Sequence, residues 1–234
     1  MKRSLLPVSK NKTGFTIIEL MIATLVFSVI LLVISMAVIR FTHDYFRGVN
    51  TSTTQNIARN SIDMITQAIQ FSSAEPTPVT LGGGYGGAQS YCVGGNQQFV
   101  YYLGDQVDST HHGLLHIQSA PCTSTPVLTD GVELLQPHMH LAVFDINAAD
   151  ATNATWDVDI KIVYADNDTG ITNSLLCEPS ITIGSCNDGS FTANLSTATP
   201  SNELRDLHCK AEVGSEFCSV VELTTTVDRR LVGS

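Results

Sequence analysis

An apolar stretch of 25 residues, Phe15 to Ile39, limits what this chain can fold into more than any other feature. It contains one charged residue, Glu19, and the next charge is Arg40. As an α-helix it would be about 37 Å long, enough to cross a hydrocarbon core of about 30 Å. Four basic residues and no acidic residue precede it: Lys2, Arg3, Lys10 and Lys12. Because positive charges stay on the cytoplasmic side of a membrane, we predict that the rest of the chain is exported.

The residues in front of the apolar stretch predict a proteolytic cut. A secretory signal has a shorter apolar core and is cleaved after it. Here the small residue Gly14 stands before the stretch, and it offers a protease a backbone without a side chain. A cut between Gly14 and Phe15 would remove a basic leader, residues 1–14, and leave the membrane helix on the mature protein. Glu19 is a costly charge inside such a helix, so we expect it to have a partner or a function.

The sequence Lys10-Asn-Lys-Thr-Gly-Phe-Thr-Ile-Ile-Glu-Leu20 resembles the processing and assembly segment of type IV pilins and their relatives. The resemblance implies that a membrane-embedded prepilin peptidase cuts after Gly14 and methylates the new amino group of Phe15. It also implies that Glu19 neutralises the Phe15 amine of a neighbouring subunit in a filament. The expected partners are therefore the prepilin peptidase, the inner membrane before assembly, and other pilin subunits through the N-terminal helix. A plain signal anchor with an incidental glutamate is the alternative.

The helix is predicted to continue beyond the apolar stretch. Apolar residues at helical spacing, Ala58, Ile62, Ile65 and Ile69, define one face, and polar residues occupy the other sides. Pro76 and Pro78 prevent continuation. We therefore predict one helix from Phe15 to about Ser72, weakest near Gly48, with a separate amphipathic helix as the alternative for its second half. The predicted segments are residues 1–14 (leader), 15–40 (membrane and assembly half), 41–72 (amphipathic half) and 73–234 (extracytoplasmic β-rich domain).

After the helix the sequence predicts β-strands without further helices. The glycine- and proline-rich residues 73–98 are predicted to form a loop, and residues 166–217 an irregular polar region. Strands are predicted at Phe99–Leu103, Leu114–Ile117, Val132–Leu135, His138–Ile146, 157–164 and Ser219–Val227. Consecutive strands imply an antiparallel sheet. The predicted fold class is α+β: a long N-terminal α-helix with a hydrophobic first half, packed on an antiparallel β-sheet, as in pilins.

Six cysteines in an exported domain suggest up to three disulfides. They are Cys92, Cys122, Cys177, Cys186, Cys209 and Cys218. None forms a C-x-x-C pair, which disfavours zinc-ribbon and thioredoxin-type sites. The sequence does not fix the pairing; closure between neighbours would join Cys177 with Cys186 and Cys209 with Cys218, and leave Cys92 with Cys122.

The charge balance disfavours nucleic acid as a partner. The chain has 12 basic and 22 acidic residues, and removal of the four basic leader residues leaves 8 basic residues and a net charge of −14. Nucleic-acid binding needs a basic surface. We therefore predict no nucleic-acid partner.

Three features resemble ligand sites in part, but we predict no metal site and no cofactor. Histidines His138 and His140 share a strand face, and His111, His112 and His116 could join them, but no acid or cysteine spacing completes a ligand set. Asp166–Gly170 lacks the bidentate acid of a calcium loop, which favours a hairpin turn and keeps calcium as the alternative. Gly82–Gly87 lacks the lysine and helix of a phosphate-binding loop. Because no nucleophile–base arrangement is visible either, we predict no enzymatic activity.

A second, more scattered resemblance concerns the β-rich domain. The segments Leu128–Leu135, Trp156–Ile162 and Val220–Arg230 are similar to PilW-type minor pilins and J-type minor pseudopilins. Many major pilins carry a proline about twenty residues into the mature helix, whereas Val33–Ala37 contains none. The predicted function is therefore a minor pilin that initiates or caps a type IV pilus. A minor pseudopilin of a type II secretion system is the first alternative, and a tip adhesin that binds through residues 166–217 is the second.

The predicted location follows from the same resemblance. Before assembly the chain would cross the inner membrane once. After assembly it would lie in an extracellular pilus or a periplasmic pseudopilus.

Overall fold

The structure consists of one long helix followed by β-strands. The computed structural model describes residues 14–83, 85, 88–103, 113–118, 121–150, 154–164, 176–177, 207–209 and 217–230. The helix, α1, is Ile17–Gln70. The strands formed by the described residues are β1 Thr77–Val79, β2 Gln89–Val93, β3 Gln97–Tyr101, β4 Leu114–Gln118, β5 Val132–Glu133, β6 Met139–Ala148, β7 Thr155–Tyr164, β8 Leu176–Cys177, β9 His208–Cys209 and β10 Ser219–Asp228. This arrangement confirms the predicted α+β fold class.

The chain divides into two compact units, Met1–His43 and Asp44–Ser234, with the boundary inside α1. The described part of the first unit is the apolar portion of the helix. Its most apolar 18-residue window has a mean hydropathy of 2.9, none of that window is buried, and the helix is long and apolar enough to cross a membrane. Apolar side chains that are exposed all around a helix need lipid or other helices as their surroundings.

The hydroxyl groups in the apolar part of α1 are satisfied within the helix. The hydroxyl groups of Ser28 and Ser35 donate hydrogen bonds of 2.8 Å to the carbonyl oxygens of Thr24 and Leu31. The Thr24 hydroxyl donates to the carbonyl oxygen of Met21 at 3.0 Å. Such local bonds allow serine and threonine to lie in a hydrocarbon environment without an unpaired donor.

In the second unit, one face of α1 packs on the β-strands. The face predicted from the spacing of Ala58, Ile62, Ile65 and Ile69 is buried. The four polar residues predicted to lie on the other sides are all exposed: Asn56, Arg59, Asp63 and Gln67. The helix passes through Gly48 without a break. The apolar face predicted for this half of the helix is therefore the face that packs on the domain.

The end of α1 is fixed by two polar contacts. The Ser72 hydroxyl donates a hydrogen bond of 2.8 Å to the carbonyl oxygen of Ile69. The backbone N–H of Arg230, just after β10, donates to the carbonyl oxygen of Gln70 at 3.0 Å. Because the last carbonyls of a helix have no partner within it, these bonds satisfy acceptors that would otherwise be unpaired. The end of the last strand is thereby attached to the end of the helix.

Three antiparallel sheets are present among the described residues. Their strand orders are β1-β2-β3-β4-β5, β10-β7-β6 and β8-β9. In β7, Trp156, Val158, Ile160 and Ile162 are buried in the main core, as expected for a strand with one apolar face. That core also contains the buried face of α1 and residues of the five-stranded sheet such as Phe99.

Part of the segment 73–98 is not a loop, so the prediction made for it was wrong. It contains β1, which has three residues, and β2, which has five. Gly94 and Gly95, which separate β2 from β3, have φ angles of 66° and 82°, a region that suits glycine. The glycines that favoured a loop therefore form the turn of a β-hairpin. The strands on either side are short, so glycine and proline outnumber strand-forming residues in this segment.

Threonines of β10 bond to aspartates of β7 on the face away from the main core. Thr226 Oγ1 donates to Asp157 Oδ1 at 2.6 Å, and Thr224 Oγ1 donates to Asp159 Oδ1 at 3.1 Å. These cross-strand bonds give two threonines of the last strand a physical role, because Thr224 and Thr226 each oppose a carboxylate on β7.

Candidate functional site

The N-terminus of α1 is closed by reciprocal hydrogen bonds between Thr16 and Glu19. The Thr16 backbone N–H and hydroxyl donate to Glu19 Oε2 at 2.9 and 2.8 Å. The Glu19 backbone N–H lies 3.3 Å from Thr16 Oγ1, to which it donates. Thr16 directly precedes the first helical residue, and Glu19 is the third residue of the helix, so the pair forms a capping box.

The predicted site includes Glu19 but assigns Thr16 no role of its own. The signal for that role is present, since Thr16-Ile-Ile-Glu19 has the T-x-x-E spacing of a capping box in front of an apolar run. Both bonds from Thr16 reach Oε2, and no hydrogen bond from the described residues reaches Oε1. Glu19 therefore caps its own helix with one oxygen and keeps the other available.

Gly14 and Phe15 lie just outside the helix. Both are exposed and non-helical, and the Phe15 side chain is 80% accessible. A Cβ atom placed on Gly14 would meet no other atom within 4 Å. The peptide bond between the two residues thus lies in an accessible, non-helical segment, which is the backbone form that a protease needs.

The histidines considered as metal ligands have other surroundings. The His116 ring stacks on Phe99 at a centroid distance of 4.7 Å, and its Nε2 lies 3.2 Å from Gln97 Oε1. Burial lowers the pKa of His116 below its ordinary value. His140 is fully buried in β6. Among the described residues, no group of three or more His, Cys, Asp or Glu side chains is placed to hold a metal ion. His111, His112 and Asp166–Gly170 lie outside the described residues.

Two disulfides connect described residues. Cys92 of β2 is bonded to Cys122, 30 residues away, and Cys209 of β9 is bonded to Cys218, nine residues away, just before β10. Cys209–Cys218 is a pair that closure between neighbours favours, and Cys92–Cys122 is the pair that such closure leaves. The third candidate pair cannot be described, because Cys186 and the side chain of Cys177 lie outside the described residues.

The segment around Cys122 is also fastened by Gln98, whose side chain is buried. Gln98 Nε2 donates to Ser90 Oγ at 3.0 Å and to the Thr123 carbonyl oxygen at 2.9 Å. Its Oε1 accepts from the Thr123 N–H at 3.1 Å. The disulfide and the amide therefore attach neighbouring residues of this segment to the five-stranded sheet.

Comparison with known families identifies one segment. Residues 9–35 match the prokaryotic N-terminal methylation motif. No curated protein and no solved structure matches the chain. The motif supports a type IV pilin-like structural subunit, and it implies processing by a prepilin peptidase and assembly with other pilins. An apolar N-terminal helix fits membrane insertion before that assembly.

Proposed function

We propose that this chain is a prepilin whose mature form begins at Phe15 and acts as a minor pilin that initiates or caps a type IV pilus. The observation that carries the proposal is the first unit of the structure. Its apolar stretch, Phe15 to Ile39, has one charge, follows the accessible Gly14–Phe15 bond, and exposes its side chains throughout. A helix of this kind is stable in a membrane or among other apolar helices. When the subunit leaves the membrane, the helices of neighbouring subunits in a filament would surround it instead.

The capping box supports a specific role for Glu19 in assembly. Cleavage after Gly14 would convert the Phe15 nitrogen into a charged amine. Oε2 of Glu19 is occupied by Thr16, whereas Oε1 accepts no hydrogen bond from the described residues. We propose that Oε1 receives the Phe15 ammonium group of a neighbouring subunit. The pairing would remove two isolated charges from an apolar environment, which is favourable because a lone charge there is costly.

Two features favour a minor pilin over a major one. The apolar helix lacks a proline in the segment Val33–Ala37, where many major pilins have one. The domain also resembles PilW-type and J-type minor subunits in three segments of its sequence. A filament needs few copies of a subunit that starts or caps it, so a domain with extra disulfide-tied segments causes no crowding in that position.

The processing step is tested by Gly14→Leu, with Gly48→Leu as its matched control. A Cβ atom meets nothing within 4 Å at either glycine, so the two positions are matched in the space that they offer at Cβ. In a host strain with an active prepilin peptidase, we expect uncleaved Gly14→Leu protein to accumulate and Gly48→Leu protein to be cleaved normally. Normal cleavage of Gly14→Leu protein would contradict the proposal.

The place of the subunit is tested by deletion of its gene. We expect the deletion strain to lose surface pili and to regain them when the wild-type gene is restored. Loss of secreted enzymes with intact pili would instead identify a minor pseudopilin of a type II secretion system.

A further inference from the structure

Three aromatic rings form an exposed cluster on the second unit, which we call the aromatic cluster: Tyr45 and Phe46 of α1 and Phe217 beside β10. Ring centroids are 6.1 Å apart between Tyr45 and Phe46 and 6.2 Å apart between Phe46 and Phe217. The three side chains remain 59%, 44% and 38% exposed. Aromatic rings that contact one another and still face solvent suggest a surface with a binding role.

The position of Phe217 is set by the disulfide next to it. Cys218 is buried and bonded to Cys209, which fixes the start of β10 in the domain. Phe217, directly before Cys218, is thereby held against Phe46. The cluster is thus built from two distant parts of the sequence and is not simply the continuation of an apolar helix.

The aromatic cluster lies close in the sequence to the end of the apolar helix. Tyr45 follows Arg40, the first charge after the apolar stretch, by five residues, all within α1. Five helical residues rise about 7.5 Å. The headgroup layer of a bilayer extends about 5–8 Å beyond the hydrocarbon core on each side. Tyr45 and Phe46 therefore follow the end of the apolar stretch by a length of helix comparable with the thickness of the headgroup layer.

The charges near the cluster suit a lipid surface. Arg40 and Arg47 lie on either side of Tyr45 and Phe46 in the sequence, and Asp44 is the one acid between them, so two basic residues minus one acid leave this segment with a net charge of +1. Basic residues next to a membrane segment attract anionic headgroups, and tyrosine rings are enriched at membrane interfaces.

We propose that the aromatic cluster is a membrane-interface contact, through which the second unit rests among phospholipid headgroups before the subunit leaves the membrane. The inference rests on the membrane-spanning helix of the proposed function and adds a second contact contributed by the exported domain. Phe217 is its critical residue, because a residue so far along the chain contacts lipid only if the domain lies on the membrane.

The test uses single-tryptophan variants of the full chain in vesicles of phosphatidylethanolamine and phosphatidylglycerol. Trp156, the one natural tryptophan, is replaced by Phe. Phe217→Trp is the test variant, Phe27→Trp reports insertion of the helix, and Phe71→Trp, at an exposed position just after α1, is the aqueous control. Quenching of each tryptophan by lipids brominated near the headgroup or near the chain centre is then measured. If Trp156→Phe does not fold, the same variants are measured by difference against wild-type protein.

We expect Phe27→Trp to be quenched by bromine near the chain centre, and Phe217→Trp by bromine near the headgroup, with a blue-shifted emission relative to Phe71→Trp. Quenching of Phe27→Trp together with equal responses from Phe217→Trp and Phe71→Trp would overturn the inference alone. Absence of quenching at Phe27→Trp would instead overturn the membrane helix and with it the proposed function. A third outcome is a blue shift of the Phe217→Trp emission that grows with the protein-to-lipid ratio, without quenching by brominated lipid. It would assign the cluster to contact between subunits and overturn the inference.

Discussion

One oxygen of the Glu19 carboxylate accepts two hydrogen bonds from Thr16, at 2.9 and 2.8 Å, at the start of the apolar helix. The same carboxylate is the one charge within the apolar stretch from Phe15 to Ile39. Capping the helix and neutralising a neighbouring amine are therefore two separable functions of one side chain. Glutamine serves as well as glutamate in a capping box, but it carries no charge.

The substitution Glu19→Gln separates these two functions. We expect the variant to be processed normally, because the helix N-terminus keeps its cap, and to fail in assembly, because the carboxylate that would pair with the Phe15 amine is gone. The measurement compares cleaved subunit in membranes with subunit in sheared pili. Thr16→Ser, which keeps both the cap and the charge, serves as the control and should assemble. Pili with wild-type amounts of Glu19→Gln subunit would show that the charge has no role.

Removal of the two described disulfides should destabilise the domain to different extents. The bonds close segments with sequence separations of 30 and 9. From the entropy of the closed loops, we expect a loss of about 3.6 kcal/mol for Cys92–Cys122 and about 2.6 kcal/mol for Cys209–Cys218. The free energies of unfolding of the paired Cys→Ser variants are measured in mild detergent through the fluorescence of the buried Trp156. The opposite order would mean that strain or residual structure outweighs loop entropy.

The buried Gln98 should contribute through its hydrogen bonds to the segment after Cys122. Gln98→Met keeps the approximate shape of the side chain but removes these bonds. We expect the unfolding free energy to fall by about 1–2 kcal/mol, since water can reach the exposed Thr123 but not the buried Ser90. Faster hydrogen exchange of the Thr123 amide should accompany the loss. Gln118→Met, at an exposed position on β4, is the control and should leave both quantities unchanged.

The pKa of His116, lowered by burial, predicts a loss of stability in acid. The unfolded chain binds a proton near the ordinary histidine pKa of about 6.5, whereas the folded chain does so only at lower pH. The contribution of His116 is therefore fully present above that pH and is lost as the pH falls toward the folded-state pKa. We expect His116→Phe, which keeps a ring beside Phe99, to show a smaller decrease of the unfolding free energy between neutral and mildly acidic pH. Equal decreases for the two proteins would rule out this role.

The capped start of the apolar helix was predictable because its determinants are local. The apolar stretch, its one charge and the glycine before it are visible as a linear pattern, and the capping box follows from the spacing of Thr16 and Glu19. The buried face of α1 was predictable for the same reason, since a helical repeat in Ala58, Ile62 and Ile65 records the side that packs.

The rest depends on contacts that the local sequence does not encode. The contact between Phe46 and Phe217 forms only when the last strand is placed beside the helix. The segments β1 and β2 become strands because they pair with each other and because β2 also pairs with β3, although glycine and proline dominate their surroundings. In both cases contacts between residues that are distant in the sequence determine the structure, and the local sequence alone does not predict it.

The most direct test of the account is the mature N-terminus of the protein, determined by mass spectrometry on material purified from cells with an active prepilin peptidase. We expect a chain that begins at Phe15 and carries a methyl group on its amino nitrogen. A chain that still carries residues 1–14 would contradict it.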